Sequence, residues 1–229
     1  LSTSIFFKYP PQSDFEGRRV LNIGCGFSKY EVDNVTNLDA SASCKPDVIW
    51  DLNETPLPFE DNTFDLVIAN HILEHLPRWW ECFSELSRVT KVDGVVEVWV
   101  PGSGSDSIHG FRDHVNEINQ CSFFGVYGTY REGGNAWAID NAEGMANRLK
   151  NFNRVSKFEK SSFMSYLPEQ MQMWMARHLR NIIVEDGYFF RKVTQEEYEK
   201  EAKVFHARVR ASSIVSVPRV REAAISGRV

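Results

Sequence analysis

Two stretches of the chain hold residue types that can do chemistry. The first is Gly24-Cys25-Gly26, which ends the apolar run Val20-Leu21-Asn22-Ile23. Glycine costs a strand or helix about 0.5–1 kcal/mol relative to alanine. A pair of them therefore marks either a tight turn or a close approach of backbone to a ligand. Asp39 bears on that choice. It closes a second strand-like run, "VTNLDAS", where a carboxylate can accept hydrogen bonds from both hydroxyls of a ribose lying over the glycine loop. Phe27, Ser28 and Lys29 follow Gly26, so a third glycine is missing. Asp39 also comes too soon after the loop for a dinucleotide site, which spaces its acid about 20 residues on. The pattern suits a nucleoside with no pyrophosphate to bind.

The second stretch is "SIHGFRDHVNE", whose His109, Arg112, Asp113 and His114 make the densest polar cluster in the chain. An imidazole with its ordinary pKa near about 6.5 can take a proton from an acceptor hydroxyl or amine. The same residues can equally form a polar loop whose members pair with one another. Tyr127, Tyr130 and Trp137, set among glycines, either line an acceptor pocket or pack that loop. "HILEH" at 71–75 matches the H-x-x-E-H pattern of zinc proteases.

The elements that must position these residues are legible as short runs. Strand-like segments recur at 18–23, 34–38, 47–50, 64–69 and 95–100, several of them apolar throughout. That suits a parallel sheet covered on both faces. Trp79, Phe83, Leu86 and the neighbouring Val89 fall on one helical face, and Asp93-Gly94 supplies a turn into the next strand. Only a turn or so of helix fits between Gly26 and Asn34. Further on, 141–151 reads as a helix, 153–160 as a strand and "PEQMQMWMARHLR" as a Met-rich helix. "IIVEDGYFFR" reads as a hairpin turning at Asp186-Gly187. Thr194 and Glu197 form a capping box for a charged helix to about Arg208.

In this order the motifs "LNIGCG" (21–26), "TNLDAS" (36–41), "DVIWDLNETPLPFEDNTFDLVIANHILEHL" (47–76) and "LSRVTKVDGVVEVWVP" (86–101) resemble the class I S-adenosylmethionine-dependent methyltransferases. The likeness is strongest to the compact, type 11-like group. It implies a Rossmann-like, doubly wound, mostly parallel α/β sheet, here closed by an antiparallel C-terminal hairpin. It also implies S-adenosylmethionine as cofactor. Carried over by position, Gly24, Cys25 and Gly26 would lie against its methionine and ribose, with Asn22 just behind them. Asp39 would hold the ribose hydroxyls and Ala40 would sit beside the adenine. Asp51 and Leu52 would meet the adenine edge, while Asn70 and His71 would flank the sulfonium and the acceptor. Asn22 stands where the family usually has an acid, and Ser28 where a third glycine is frequent. Because "HILEH" coincides with the family's "HVLEHL", no metal is expected. His75 and Leu76 read as packing at a helix start, and Glu74 as a polar neighbour of the site.

Composition narrows the rest. The chain has 229 residues, is 42% hydrophobic and 25% charged, and has a net charge of −5. These values suit a globular domain. The longest apolar runs are strand-length, far short of a membrane span. No signal-peptide pattern opens it. Cys25, Cys44, Cys82 and Cys121 are scattered without a CxxC pair, which suggests reduced thiols and a cytoplasmic setting. Six Lys or Arg against Glu222 alone follow from Lys203, leaving residues 1–202 at −10. So acidic a body is a poor nucleic-acid binder. The expected organisation is an N-terminal segment (1–17), a methyltransferase domain (18–193) with an active-site loop at 101–140, and a C-terminal helix with a basic tail (194–229). The expected activity is methyl transfer, with His109 or His114 as base, to an O or N of a small molecule or glycan. The alternative is a cofactor-binding subunit without catalysis, in a regulatory or scaffolding role.

Overall fold

The computed structural model describes residues 15–102, 104–123, 148–158 and 183–200, with 167–168, 170–171 and 174–175 between the last two. Its frame is a seven-stranded sheet. The strands are β1 (Val20–Ile23), β2 (Val35–Asp39), β3 (Val48–Ile49), β4 (Phe64–Asn70), β5 (Thr90–Pro101), β6 (Leu149–Phe158) and β7 (Ile183–Lys192). They lie in the order β3-β2-β1-β4-β5-β7-β6. β1 to β5 pair in parallel, whereas β7 is antiparallel to both β5 and β6. The order differs from the 3-2-1-4-5-6 of dinucleotide-binding sheets by the insertion of antiparallel β7. The order reverses between β1 and β4, and ligands of open α/β sheets bind outside the strand ends at such a point.

The apolar runs form strands because both of their faces are covered. All four residues of β1 are buried, and β4 buries Phe64, Leu66, Val67, Ile68 and Ala69. Helix α1 (Trp79–Val89) lays Cys82, Phe83, Leu86 and Val89 into the main core, the 3.6-residue stripe expected of an amphipathic helix. Its C-terminal carbonyls are met from outside. Lys192 Nζ, on buried β7, donates to Thr90 O at 2.6 Å, Asn62 Oδ1 at 2.9 Å and Arg88 O at 3.3 Å. A cation is favourable at that end of a helix. Asp93 (φ 64°) and Gly94 form the expected turn, but as an irregularity within one long β5 rather than a break before it.

Three expectations need correction. Asp186-Gly187 is not a hairpin turn: β7 runs straight through both residues, and Gly187 pairs with Trp99 on one side and Val155 on the other. The glycine serves close packing, since a Cβ there would come within 2.6 Å of the Trp99 ring. The antiparallel C-terminal pair exists nonetheless, formed by β6 and β7. Residues 149–151, expected at the end of a helix, begin β6 instead, because pairing with β7 overrides local preference. Between Gly26 and Asn34 no helical turn forms at all; Tyr30 fills that space, edge-on to Phe15 at 4.8 Å. Thr194 does cap a helix over 195–200, its Oγ1 accepting from Glu197 N at 3.1 Å. The Glu197 carboxylate turns to Arg191 at 2.8 Å. Tyr127, Tyr130, Trp137, residues 141–147 and the basic tail lie outside the described residues, as does much of the Met-rich segment.

Candidate active site

The glycine loop leaves β1 with Gly24 at φ 59° and Gly26 at φ 51°, a left-handed backbone that side chains resist. The two glycines are needed for different reasons. A Cβ on Gly24 would collide with the Ile72 side chain, whereas one on Gly26 would meet nothing within 4 Å. Gly24 is therefore fixed by packing against the β4 loop, and Gly26 borders open space. Asp39, at the end of β2, braces the loop. Its Oδ2 accepts from Gly26 N at 2.9 Å and its Oδ1 from Ser41 N at 2.8 Å. A carboxylate offers about four acceptor positions, so each oxygen keeps capacity for a ligand hydroxyl. Ala40 beside it is exposed.

Asn22 is 1% exposed and donates from Nδ2 to Asn37 Oδ1 at 3.1 Å, across the β1–β2 register. Asn37 also takes Tyr30 N at 3.0 Å and donates to Tyr30 O and Asp47 Oδ2. Asn22 thus belongs to a buried amide ladder under the loop. Cys25 is buried, with its N–H on Leu38 O at 3.1 Å. Burial, aided by Asp39, Cys44 and Asp47, pushes its thiol up to about 11, so it stays protonated and is no nucleophile. Asp51 is exposed and holds Asn53 in an Asx turn, while Leu52 is buried beneath it.

Asn70 ends β4, and His71 follows at φ 50° with its N–H on Trp99 O at 2.9 Å. The His71 ring lies between two buried carboxylates: Nδ1 is 3.2 Å from Glu74 Oε1, and Nε2 is 3.6 Å from Glu185 Oε1. Burial alone would lower its pKa, but Glu185 and Glu74 outweigh that and hold it above the ordinary value. The charges offset one another where isolated ones would be costly. Sequence reasoning missed Glu185, having placed it before a turn. A charged pair inside an otherwise apolar run, "IIVEDGYFF", was the signal available.

His114 packs edge-on against His75, ring centroids 4.7 Å apart, and against Phe111 at 5.1 Å. His109 lies in the short helix α2 (Asp106–Gly110), and its side chain is outside the description. The segment after α2 is sewn to the turn after β4. Val115 N and Asn116 N donate to Glu74 O at 3.0 and 3.1 Å, and Asn116 Nδ2 donates to Leu76 O at 2.7 Å.

The glycine loop, Asp39, Asp51, Asn70 and His71 all follow the C-terminal ends of parallel strands, around the point where strand order reverses. A family model described as a methyltransferase domain matches residues 21–98. The match spans about a third of the chain. Three uncharacterized methyltransferases of Mycobacterium tuberculosis strains are 42% identical to the chain over 40 residues, which is 18% of this chain and 16% of each relative. An S-adenosylmethionine-dependent methyltransferase from Archaeoglobus fulgidus has the same fold at TM-score 0.54 and 17% identity, covering 78% of this chain and 88% of its own. A putative methyltransferase from Bacillus halodurans follows at TM-score 0.50 and 12% identity, over 77% of this chain and 93% of its own. Among the described residues, no helix is long and apolar enough to cross a membrane.

Proposed function

We propose that the protein transfers a methyl group from S-adenosylmethionine to an oxygen or nitrogen of a small-molecule or glycan acceptor. The observation that carries this reading is the brace between Asp39 Oδ2 and Gly26 N at 2.9 Å. It sets a carboxylate with spare acceptor positions beside a side-chain-free backbone at the β1–β4 switch point. These residues fit a nucleoside cofactor: Gly24, Cys25 and Gly26 would support its methionine and ribose, Asp39 its diol, and Ala40, Asp51 and Leu52 its adenine. Bound S-adenosylmethionine would supply an electrophilic methyl on a good, neutral leaving group. The chain's own share is then to position the acceptor and exclude water. His114, and His109 from its place in α2, remain the candidate bases for an acceptor that must lose a proton. The free, buried Cys25, Cys44 and Cys82 fit a reducing, cytoplasmic setting.

A second reading, a cofactor-binding subunit without catalysis, draws on Asn22. With its amide committed to Asn37, that position brings no charge to the site. Turnover separates the two. Protein incubated with labelled cofactor and pools of hydroxylated and amino acceptors should release the demethylated cofactor in step with acceptor. Cofactor binding with no turnover across such pools would favour the second reading.

A further inference from the structure

We propose that Glu74, His75 and His114 form a binding site for one divalent transition-metal ion of the zinc, manganese or cobalt class. One donor atom from each of the three lies within 4.8 Å of the others. Bonds of about 2.0–2.2 Å would draw those atoms closer together. Two imidazoles and a carboxylate are a ligand set such ions favour.

The hydrogen bonding points the same way. Glu74 is 1% exposed, yet Oε2 has no hydrogen-bond partner among the described residues, and neither does the buried Nδ1 of His114. Buried polar atoms normally find partners, so two orphans in one cluster mark a place prepared for something else. The surroundings resemble an outer coordination shell. His75 Nδ1 lies 3.2 Å from both the backbone oxygen and the carboxylate Oδ2 of Asp113, and Glu74 Oε1 lies 3.2 Å from His71 Nδ1. Metal-bound histidines and carboxylates are held in this manner, which fixes tautomer and orientation. The bonds from Val115 and Asn116 to Glu74 O hold His114 against the turn that carries the other two ligands.

Three protein ligands leave coordination positions open. An acceptor hydroxyl bound there would become easier to deprotonate and would release its proton to solvent water, so that methyl transfer would need no side-chain base. That use rests on the methyl-transfer reading; the site itself does not.

The test is titration of the full chain, stripped by chelator, with Zn²⁺ and with Co²⁺ as a spectroscopic probe. One ion per chain should bind. His114→Ala and Glu74→Gln should each weaken binding at least tenfold, and Asp113→Asn about 10–100-fold, as outer-shell losses do. Circular dichroism checks the fold of each variant. If Glu74→Gln fails to fold, His114→Ala, altered on a half-buried loop, decides. No ion bound to the wild type at millimolar Zn²⁺, or binding unchanged in His114→Ala, would overturn the proposal. Calorimetry with S-adenosylhomocysteine in the presence of chelator reports separately on the cofactor reading.

Discussion

At Gly24 and Gly26 the same residue type answers to two constraints, and substitution separates them. Gly24→Ala adds a Cβ to a left-handed backbone and drives it into the Ile72 side chain. Overpacking costs about 1–3 kcal/mol, on top of about 1–2 kcal/mol for the conformation. Gly26→Ala carries the conformational cost alone, since nothing stands within 4 Å. Denaturant unfolding should therefore find Gly24→Ala the less stable of the two. On the proposed cofactor reading, Gly26→Ala should instead lose affinity for S-adenosylhomocysteine, because its methyl would enter the open space assigned to the ligand. Equal unfolding midpoints would show that Ile72 yields freely. The loop and Asp39 were legible from residue type and spacing, but the different tasks of the two glycines were not. Those depend on Ile72, which is distant in sequence and brought near only by β1–β4 pairing. Asn22 shows the same limit. Its departure from an acid was visible, whereas its amide partner Asn37 follows from strand register.

Among the elements, the parallel half of the sheet was readable because β1 and β4 are apolar on both faces, whereas in the antiparallel half a C-terminal pair was expected but its turn and strand bounds were misplaced. Asp-Gly is the strongest short hairpin signal, yet at 186–187 it sits mid-strand because the Trp99 ring occupies the space over Gly187. Gly187→Ala should accordingly destabilise the protein by about 1–3 kcal/mol, measured by denaturant unfolding. A neutral effect would contradict the packing account. The β4–β5 edge offers a pH test. Asp65 accepts from Arg19 N at 2.8 Å and from Lys91 Nζ at 2.8 and 2.9 Å. Burial would raise its pKa, but these partners outweigh it and lower it below 3.8. The resulting stabilisation is present above the unfolded-state value and is lost as pH falls through the lower, folded one. Asp65 is partly exposed, so solvent screening leaves roughly 1 kcal/mol at most. The stability gap between wild type and Asp65→Asn should be widest at neutral pH and close below about pH 4. A gap that persists at pH 2 would rule out the ion pair as its source.

For the whole molecule, function follows from where the sheet reverses and what the strand ends carry there. The ordered motifs made the strand succession from β1 to β5 readable. Glu185, by contrast, reaches His71 only because β7 inserts beside β5, a long-range pairing that no local pattern encodes. The central claim is that the loop after β1 and the carboxylate after β2 hold one nucleoside cofactor. Calorimetric titration of wild type and Asp39→Ala with S-adenosylhomocysteine tests it most directly. Losing a charge-assisted acceptor costs roughly 1.5–3 kcal/mol. The account predicts one site per chain in the wild type and affinity about ten- to a hundredfold weaker in Asp39→Ala. No binding to the wild type at millimolar ligand, or equal affinity in both proteins with unchanged circular dichroism, would contradict it.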